Sequence, residues 1–189
     1  MKARAESQRE TRERIAKAAM ELHLEKGVAR TTVADIARRA GVTRLTVYNH
    51  FADLSELIPA CSAHYESLHP LPDFREALEI EDPDERVRTG LGGLYAWYRE
   101  TEPMFGKLFS DRSSVPELDA FLEQNIDLLQ IQLADALARS FGARGKRAKR
   151  LRGLTGVATD FWTWRRLSTQ GLGDDEAAET MAVAVAAGA

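Results

Sequence analysis

Along almost the whole chain the apolar residues recur at three- and four-residue steps, and no apolar/polar alternation runs long enough to make a strand. Ile15, Ala18, Ala19 and Leu22 predict a helix over about 7–26 that stops at Gly27. Val87, Leu91, Leu94, Tyr95 and Tyr98 predict another over 83–101. Leu118, Leu122, Ile126, Leu129, Leu133, Leu137 and Phe141 predict a long one, ended by Gly142. Leu151, Leu154, Ala158, Phe161, Trp162 and Arg165 mark a helix over about 145–169, and Ala178, Met181, Ala182 and Val185 mark the last. The expected fold class is all-α. All six prolines lie beyond residue 58, so a boundary falls naturally near 52–59.

Charge is divided along the same line. The chain of 189 residues carries 26 Lys and Arg against 29 Asp and Glu, a net charge of −3. Residues 1–50 alone hold eleven bases and six acids, +5, which leaves −8 for the remainder. A basic N-terminal module on an acidic body suits an anionic partner at one end. No apolar run approaches the roughly 18 residues of a membrane span, so no membrane partner is expected. The opening residues lack the apolar core of a signal peptide, and the single cysteine, Cys61, excludes an intrachain disulfide framework. Both point to a cytoplasmic location.

The chemistry concentrates in residues 31–51, TTVADIARRAGVTRLTVYNHF. Thr32 can cap a helix while Asp35, three residues on, returns the bond. Ile36 and Ala37 should face inward, and Gly41 stands where a left-handed residue would end that helix. Thr43 can cap a second short helix anchored by Val47. Two short helices joined by a tight turn containing glycine make a helix-turn-helix. Small Ala37, permissive Gly41 and apolar Val47 fall at the crossing, the turn and the anchor that this motif needs.

Residues 10–58 resemble the DNA-binding domain of the tetracycline-repressor (TetR) family of bacterial transcriptional regulators. The resemblance is carried by Ala18-Ala19, Glu25-Lys26-Gly27, Thr31-Thr32-Val33, Asp35-Ile36-Ala37, Ala40-Gly41-Val42, Thr46-Val47-Tyr48 and His50-Phe51. It implies a homodimer that sets two helix-turn-helix units in successive major grooves of a palindromic double-stranded operator. Arg44 suits guanine O6/N7, Leu45 a thymine methyl, and Thr43 and Asn49 offer hydrogen bonds to bases. Thr32, Thr46, Tyr48 and His50 resemble the family's phosphate contacts. Arg4, Arg9 and Arg12 are expected to add salt-sensitive affinity from a flexible arm. The chain departs from the family pattern at Leu54, where a lysine is usual, and at Leu45, where a small residue is common.

On this reading residues 1–52 form the DNA-binding domain. Helix 4 joins them to residues 53–189, a helical bundle for effector binding and dimerisation. His64, Tyr65, Trp97, Tyr98, Met104, Phe105 and Phe109 are the candidate lining of an apolar effector pocket. Phe161, Trp162, Arg165, Met181 and Val185 are the candidate dimer seam. Pro59 should kink or restart helix 4, either as a coupling joint between the two domains or as a plain interdomain bend. The glycines at 90, 92 and 93 should admit a close neighbour, and Cys61 reads as a buried thiol. Six bases between Arg144 and Arg152 oppose the dipole at a helix start.

No enzymatic constellation appears. The four histidines have no metal-ligand spacing, no phosphate-binding glycine loop follows a strand, and neither a metal nor another cofactor is implied. The expected function is a sequence-specific DNA-binding transcriptional regulator, a repressor released by a small-molecule effector. The alternative is a helical protein-interaction module that does not bind DNA.

Overall fold

The computed structural model describes residues 2–189. Among them run α1 (Lys2–Lys26), α2 (Val33–Ala40), α3 (Arg44–His50), α4 (Leu54–Leu68), α5 (Arg75–Glu79) and α6 (Pro83–Asp111). The chain continues through a 3-10 turn, α7 (Pro116–Leu122), a π turn at Glu123–Asp127, and α8 (Leu128–Arg139). It closes with α9 (Gly145–Thr159), α10 (Phe161–Thr169) and α11 (Asp174–Ala186). The fold is all-α, and no helix among the described residues is long and apolar enough to cross a membrane. Two compact units emerge: the chain up to Pro70 with Glu102–Gln124, and Leu71–Thr101 with Asn125–Ala189. Compactness thus divides the chain elsewhere than at 52/53, where its roles were expected to change.

In the first unit α1 packs against α2 and α4. Ile15, Ala18, Ala19 and Leu22 are buried, as their spacing demands, with Ile36 and Ala37 of α2, Val47 of α3, Phe51, and Leu57 and Ile58 of α4. Helix α4 runs unbroken through Pro59, so the expected restart there does not occur. Helix α6 likewise continues through Pro103 to Asp111, ten residues beyond the expected end at 101. Burial of Met104 and Phe105 holds its last turns in place against the loss of one backbone bond.

In the second unit α8 and α11 pack on α9. The predicted 145–169 helix is two helices, because the Asp160 carboxylate caps α10 by accepting from the N–H groups of Trp162 (2.8 Å) and Thr163 (3.0 Å). Two carbonyls at the end of α9 are taken by tyrosines of α6: Tyr95 donates to Ala158 O (2.6 Å) and Tyr98 to Thr159 O (2.7 Å). A Cβ on Gly90 would lie 3.2 Å from Leu137 Cδ2, so that glycine does admit a close neighbour. Gly92 and Gly93 face open space. The predicted 118–141 helix is divided by the π turn. Its apolar residues step mostly by four, each step overshooting an α-helical turn by roughly 40°, and the wider π turn absorbs the excess. The six bases of 144–152 all lie exposed.

His23, on the last turns of α1, is buried, and its Nδ1 lies 3.6 Å from Cys61 Sγ while Nε2 has no hydrogen-bond partner among the described residues. Burial lowers its pKa to about 4, against the opposing pull of Asp111. Burial also pushes the Cys61 thiol up to about 12, so it is an unreactive packed group. The imidazole is neutral in both folded and unfolded chains above pH 6.5. As pH falls from there to about 4, the unfolded chain binds the proton first and stability drops by up to about 1.4 kcal/mol per pH unit. Urea unfolding at pH 7 and pH 5 should therefore show a smaller loss of stability for His23→Phe than for the parent chain.

Candidate nucleic-acid interface

Helix α3 has only seven residues, so its neighbours must hold it. Thr43 caps it by accepting from the Thr46 N–H (3.1 Å), and Val47 is buried beneath it. At its other end the Arg12 guanidinium lies 3.9 Å over the Phe51 ring and donates to the carbonyl of His50. A cation there also complements the negative end of the helix dipole. The expected flexible arm is therefore corrected. Residues 4–12 belong to α1, Arg9 pairs with Glu6 and Glu13, and Arg12 is a brace for α3.

Helix α2 is held as firmly. Its capping box forms as the sequence predicts: Thr32 Oγ1 accepts from the Asp35 N–H and Asp35 accepts from the Thr32 N–H. Lys26 (2.7 Å) and Arg38 also reach the Asp35 carboxylate. The Lys26 hydrogen bond, followed by that of Thr32, holds its pKa far below the usual carboxylate range. Arg39 ties α2 to α1 by a two-pronged pair with Glu25, both bonds 2.8 Å. Gly41, at φ 67°, ends α2, and Val42 N–H returns to Ala37 O.

With the inner face fixed, the outer one is defined. Thr43, Arg44, Leu45, Tyr48 and Asn49 are exposed, Leu45 by 68% and Tyr48 by 55%. Arg44 makes no ion pair among the described residues. Thr46 and His50 are half-buried. The Thr43 and Thr46 hydroxyls lie 2.8 Å apart and share one proton, which leaves one free to donate. Thr32 differs: its hydroxyl donates to Asp35 Oδ2 (2.7 Å), so in this arrangement no proton remains for a phosphate. Asp53 caps α4 and Glu56 bonds the Ala52 N–H, so the first turn of α4 is acidic where the family pattern places a lysine.

A contact that sequence reasoning missed secures the α1–α2 loop. Asp111, the last residue of α6, accepts from the Ala29 N–H (3.1 Å). A Cβ on Gly27, whose φ is +85°, would lie 2.4 Å from the same carboxylate. No local sequence signal joins residues 82 positions apart.

The expected effector residues do not form one group. Tyr65, Met104 and Phe105 are buried in the first unit, where His64 and Phe109 are half-buried. Trp97 and Tyr98 line a cavity of about 260 Å³ within the second unit, beside Leu94, Leu129, Gln130 and Leu133. Of the expected dimer residues, Phe161 and Val185 are core within the protomer. Trp162 is exposed, Met181 half-buried, and the Arg165 guanidinium lies 5.4 Å from the Trp162 ring centroid.

A basic, braced helix-turn-helix with a bare outward face is the architecture of a DNA-reading domain. Residues 15–61 match the family model described as bacterial regulatory proteins, tetR family. The HTH-type transcriptional regulator TtgR of Pseudomonas putida is 46% identical over 78 residues, 41% of this chain and 36% of TtgR. The match thus spans about a third of that relative's length. A TetR-like transcriptional regulator from Rhodococcus superposes with a TM-score of 0.62 at 19% identity, covering 94% of each chain. NalD of Pseudomonas aeruginosa, described as the secondary repressor of the MexAB-OprM multidrug efflux pump, superposes with a TM-score of 0.57 at 25% identity. It covers 95% of this chain and 96% of its own. The N-terminal segment is thus similar to the tetR family of bacterial regulatory proteins, and the fold is that of TetR-like regulators. The relatives bear the names of regulators, not of enzymes.

The loop contact makes a direct prediction. In Gly27→Ala a left-handed alanine, costing about 1–2 kcal/mol, meets the Asp111 carboxylate. The melting temperature should fall by roughly 2–8 °C. Removing the carboxylate as well, in Gly27→Ala/Asp111→Ala, should not add the full cost of Asp111→Ala alone, because one change relieves the clash created by the other. Calorimetry on the three variants measures this coupling.

Proposed function

We propose that this chain is a homodimeric, cytoplasmic transcriptional repressor whose α3 helices read successive major grooves of a palindromic operator and which a small-molecule effector releases. The observation that carries this reading is the exposed face of α3, where Arg44, Leu45, Tyr48 and Asn49 stand clear of a helix anchored by Val47. Arg44 would contact guanine, Leu45 a thymine methyl, and Asn49 a base edge. Tyr48, His50 and the free proton of the Thr43–Thr46 pair would donate to phosphates. Thr32 would serve mainly as the cap that fixes α2.

Dimerisation would set the two reading helices about 34–36 Å apart, one turn of DNA. The exposed apolar side chains of Val157, Trp162 and Val183 on α9–α11 support a seam there, with Phe161 and Val185 packed beneath and Met181 and Arg165 at its margin. For release, α6 offers a second route beside α4. It carries Leu94, Trp97 and Tyr98 to the cavity wall and Asp111 to the α1–α2 loop. A coupling free energy of about 1–3 kcal/mol is typical of such linkage.

Two variants separate base reading from phosphate contact. Thr46→Ala/Tyr48→Phe should weaken binding to all duplexes alike and lower the salt dependence. Arg44→Ala should cost about 1–3 kcal/mol on the preferred operator and much less on others, relaxing base preference at one position of each half-site. Uniform weakening by Arg44→Ala would contradict its reading role.

A further inference from the structure

We infer that the cavity of the second unit takes an uncharged, largely apolar ring compound bearing one hydrogen-bond donor, and that Gln130 reads that donor. The inference rests on the reading of this chain as an effector-released regulator and names the chemistry of the effector.

Charge narrows the ligand first. The cavity of about 260 Å³ is walled mainly by aliphatic and aromatic side chains, among them Leu78, Leu94, Trp97, Ile126 and Leu133. No Asp, Glu, Lys, Arg or His lines it. An ionised molecule entering would lose its hydration and gain no counter-charge, so both carboxylates and ammonium ions are disfavoured. The size is just below that of drug-sized sites, which suits a small fused ring.

Hydrogen bonding narrows it further. The side chains of the lining that carry polar atoms are Trp97, Tyr98, Gln130 and Gln132, and Gln132 is exposed. Tyr98 donates its only proton to Thr159 O (2.7 Å), a carbonyl that can only accept. The Tyr98 oxygen must then accept from its other neighbour, Gln130, at 2.6 Å. This fixes the Gln130 amide with its NH₂ end toward Tyr98, where it also reaches Thr159 O at 3.4 Å. Gln130 Oε1 takes part in no hydrogen bond among the described residues. Gln130 Oε1 is therefore an acceptor on the lining that a ligand can engage, and a hydroxyl on an aromatic ring satisfies it. Leu71 and Leu129, both lining residues more than two-fifths exposed, give an apolar ligand an apolar entrance.

The test uses the purified full chain without DNA and four naphthalene probes in isothermal titration calorimetry. The probes are 1-naphthol, naphthalene, naphthalene-1-sulfonate and 1-naphthyltrimethylammonium. The expected result is that 1-naphthol binds more tightly than naphthalene, by about fivefold for one hydrogen bond, and that both ions bind at least about tenfold more weakly than 1-naphthol. Ala136→Trp, which fills the cavity, should abolish naphthol binding. Gln130→Met, similar in volume, should bring 1-naphthol down to the affinity of naphthalene while leaving naphthalene unchanged, and this second variant decides the matter if Ala136→Trp does not fold. The inference is overturned if neither neutral probe binds, if an ion binds as well as 1-naphthol, or if Gln130→Met leaves the preference for 1-naphthol intact. Selection from a DNA pool, run separately, keeps the two readings apart. A chain that selects an operator but binds no neutral probe loses only the cavity assignment, whereas one that binds 1-naphthol but selects no DNA loses only the regulator.

Discussion

Seven residues are too few to make a stable helix in water, and the face proposed to read DNA is borne by a helix of that length. Everything around α3 answers that constraint. Thr43 satisfies a backbone donor at its start, Val47 and Phe51 bury its inner side, and Arg12 stacks on Phe51 while bonding the His50 carbonyl at its end. The support continues outward through α2, which is pinned to α1 by Arg39 on Glu25 and by Lys26 on Asp35. The Arg39–Glu25 pair is exposed and individually weak, so its value is positional, while the Lys26–Asp35 pair is partly buried. They fix the angle at which Arg44, Leu45, Tyr48 and Asn49 leave the surface. Several bases of the N-terminal segment are spent in this way, and the surplus positive charge remains for an anionic partner.

Helix α6 has a comparable role for the rest of the chain. Tyr95 and Tyr98 take the carbonyls left bare where α9 ends, Gly90 lets Leu137 approach closely, and Asp111 holds the α1–α2 loop. A single helix of 29 residues thus contributes side chains to the walls of an apolar cavity and a carboxylate to the α1–α2 loop. The demand for a glycine at position 27 follows from the same arrangement. The backbone there is left-handed, and the place a Cβ would occupy lies against a carboxylate.

The parts legible in the sequence were those governed by local chemistry. The capping box at Thr32 and Asp35, the left-handed Gly41, the cap at Thr43 and the inward Ile36, Ala37 and Val47 each depend on residues a few positions apart, and each is found where the spacing put it. The misreadings share a different cause. Arg12 looked like an arm residue because its partners, His50 and Phe51, are nearly forty positions away. The helix over 83–101 was drawn too short because the burial of Met104 and Phe105, which lie beyond 101, is a tertiary fact. The break at Asp160 did carry a local signal, an acidic cap, but apolar periodicity ran straight across it. The cavity was half-read: Trp97 and Tyr98 line it, while the turn of Leu71, Pro72 and Phe74 gave no periodic signal. Phe161 and Val185 drew notice as apolar residues and proved to be core, because spacing alone cannot tell a face turned to the protomer's interior from one turned to a second copy.

The central claim is that this braced helix reads DNA. Selection from a pool of random duplexes by the purified chain, at about 50 and 200 mM salt, tests it most directly. The account predicts enrichment of a palindrome whose half-sites lie one helical turn apart, with affinity falling steeply at the higher salt. A pool that emerges without a preferred sequence, or binding indifferent to salt, would contradict it and leave a helical interaction module whose bases serve only to hold and hydrate its surface.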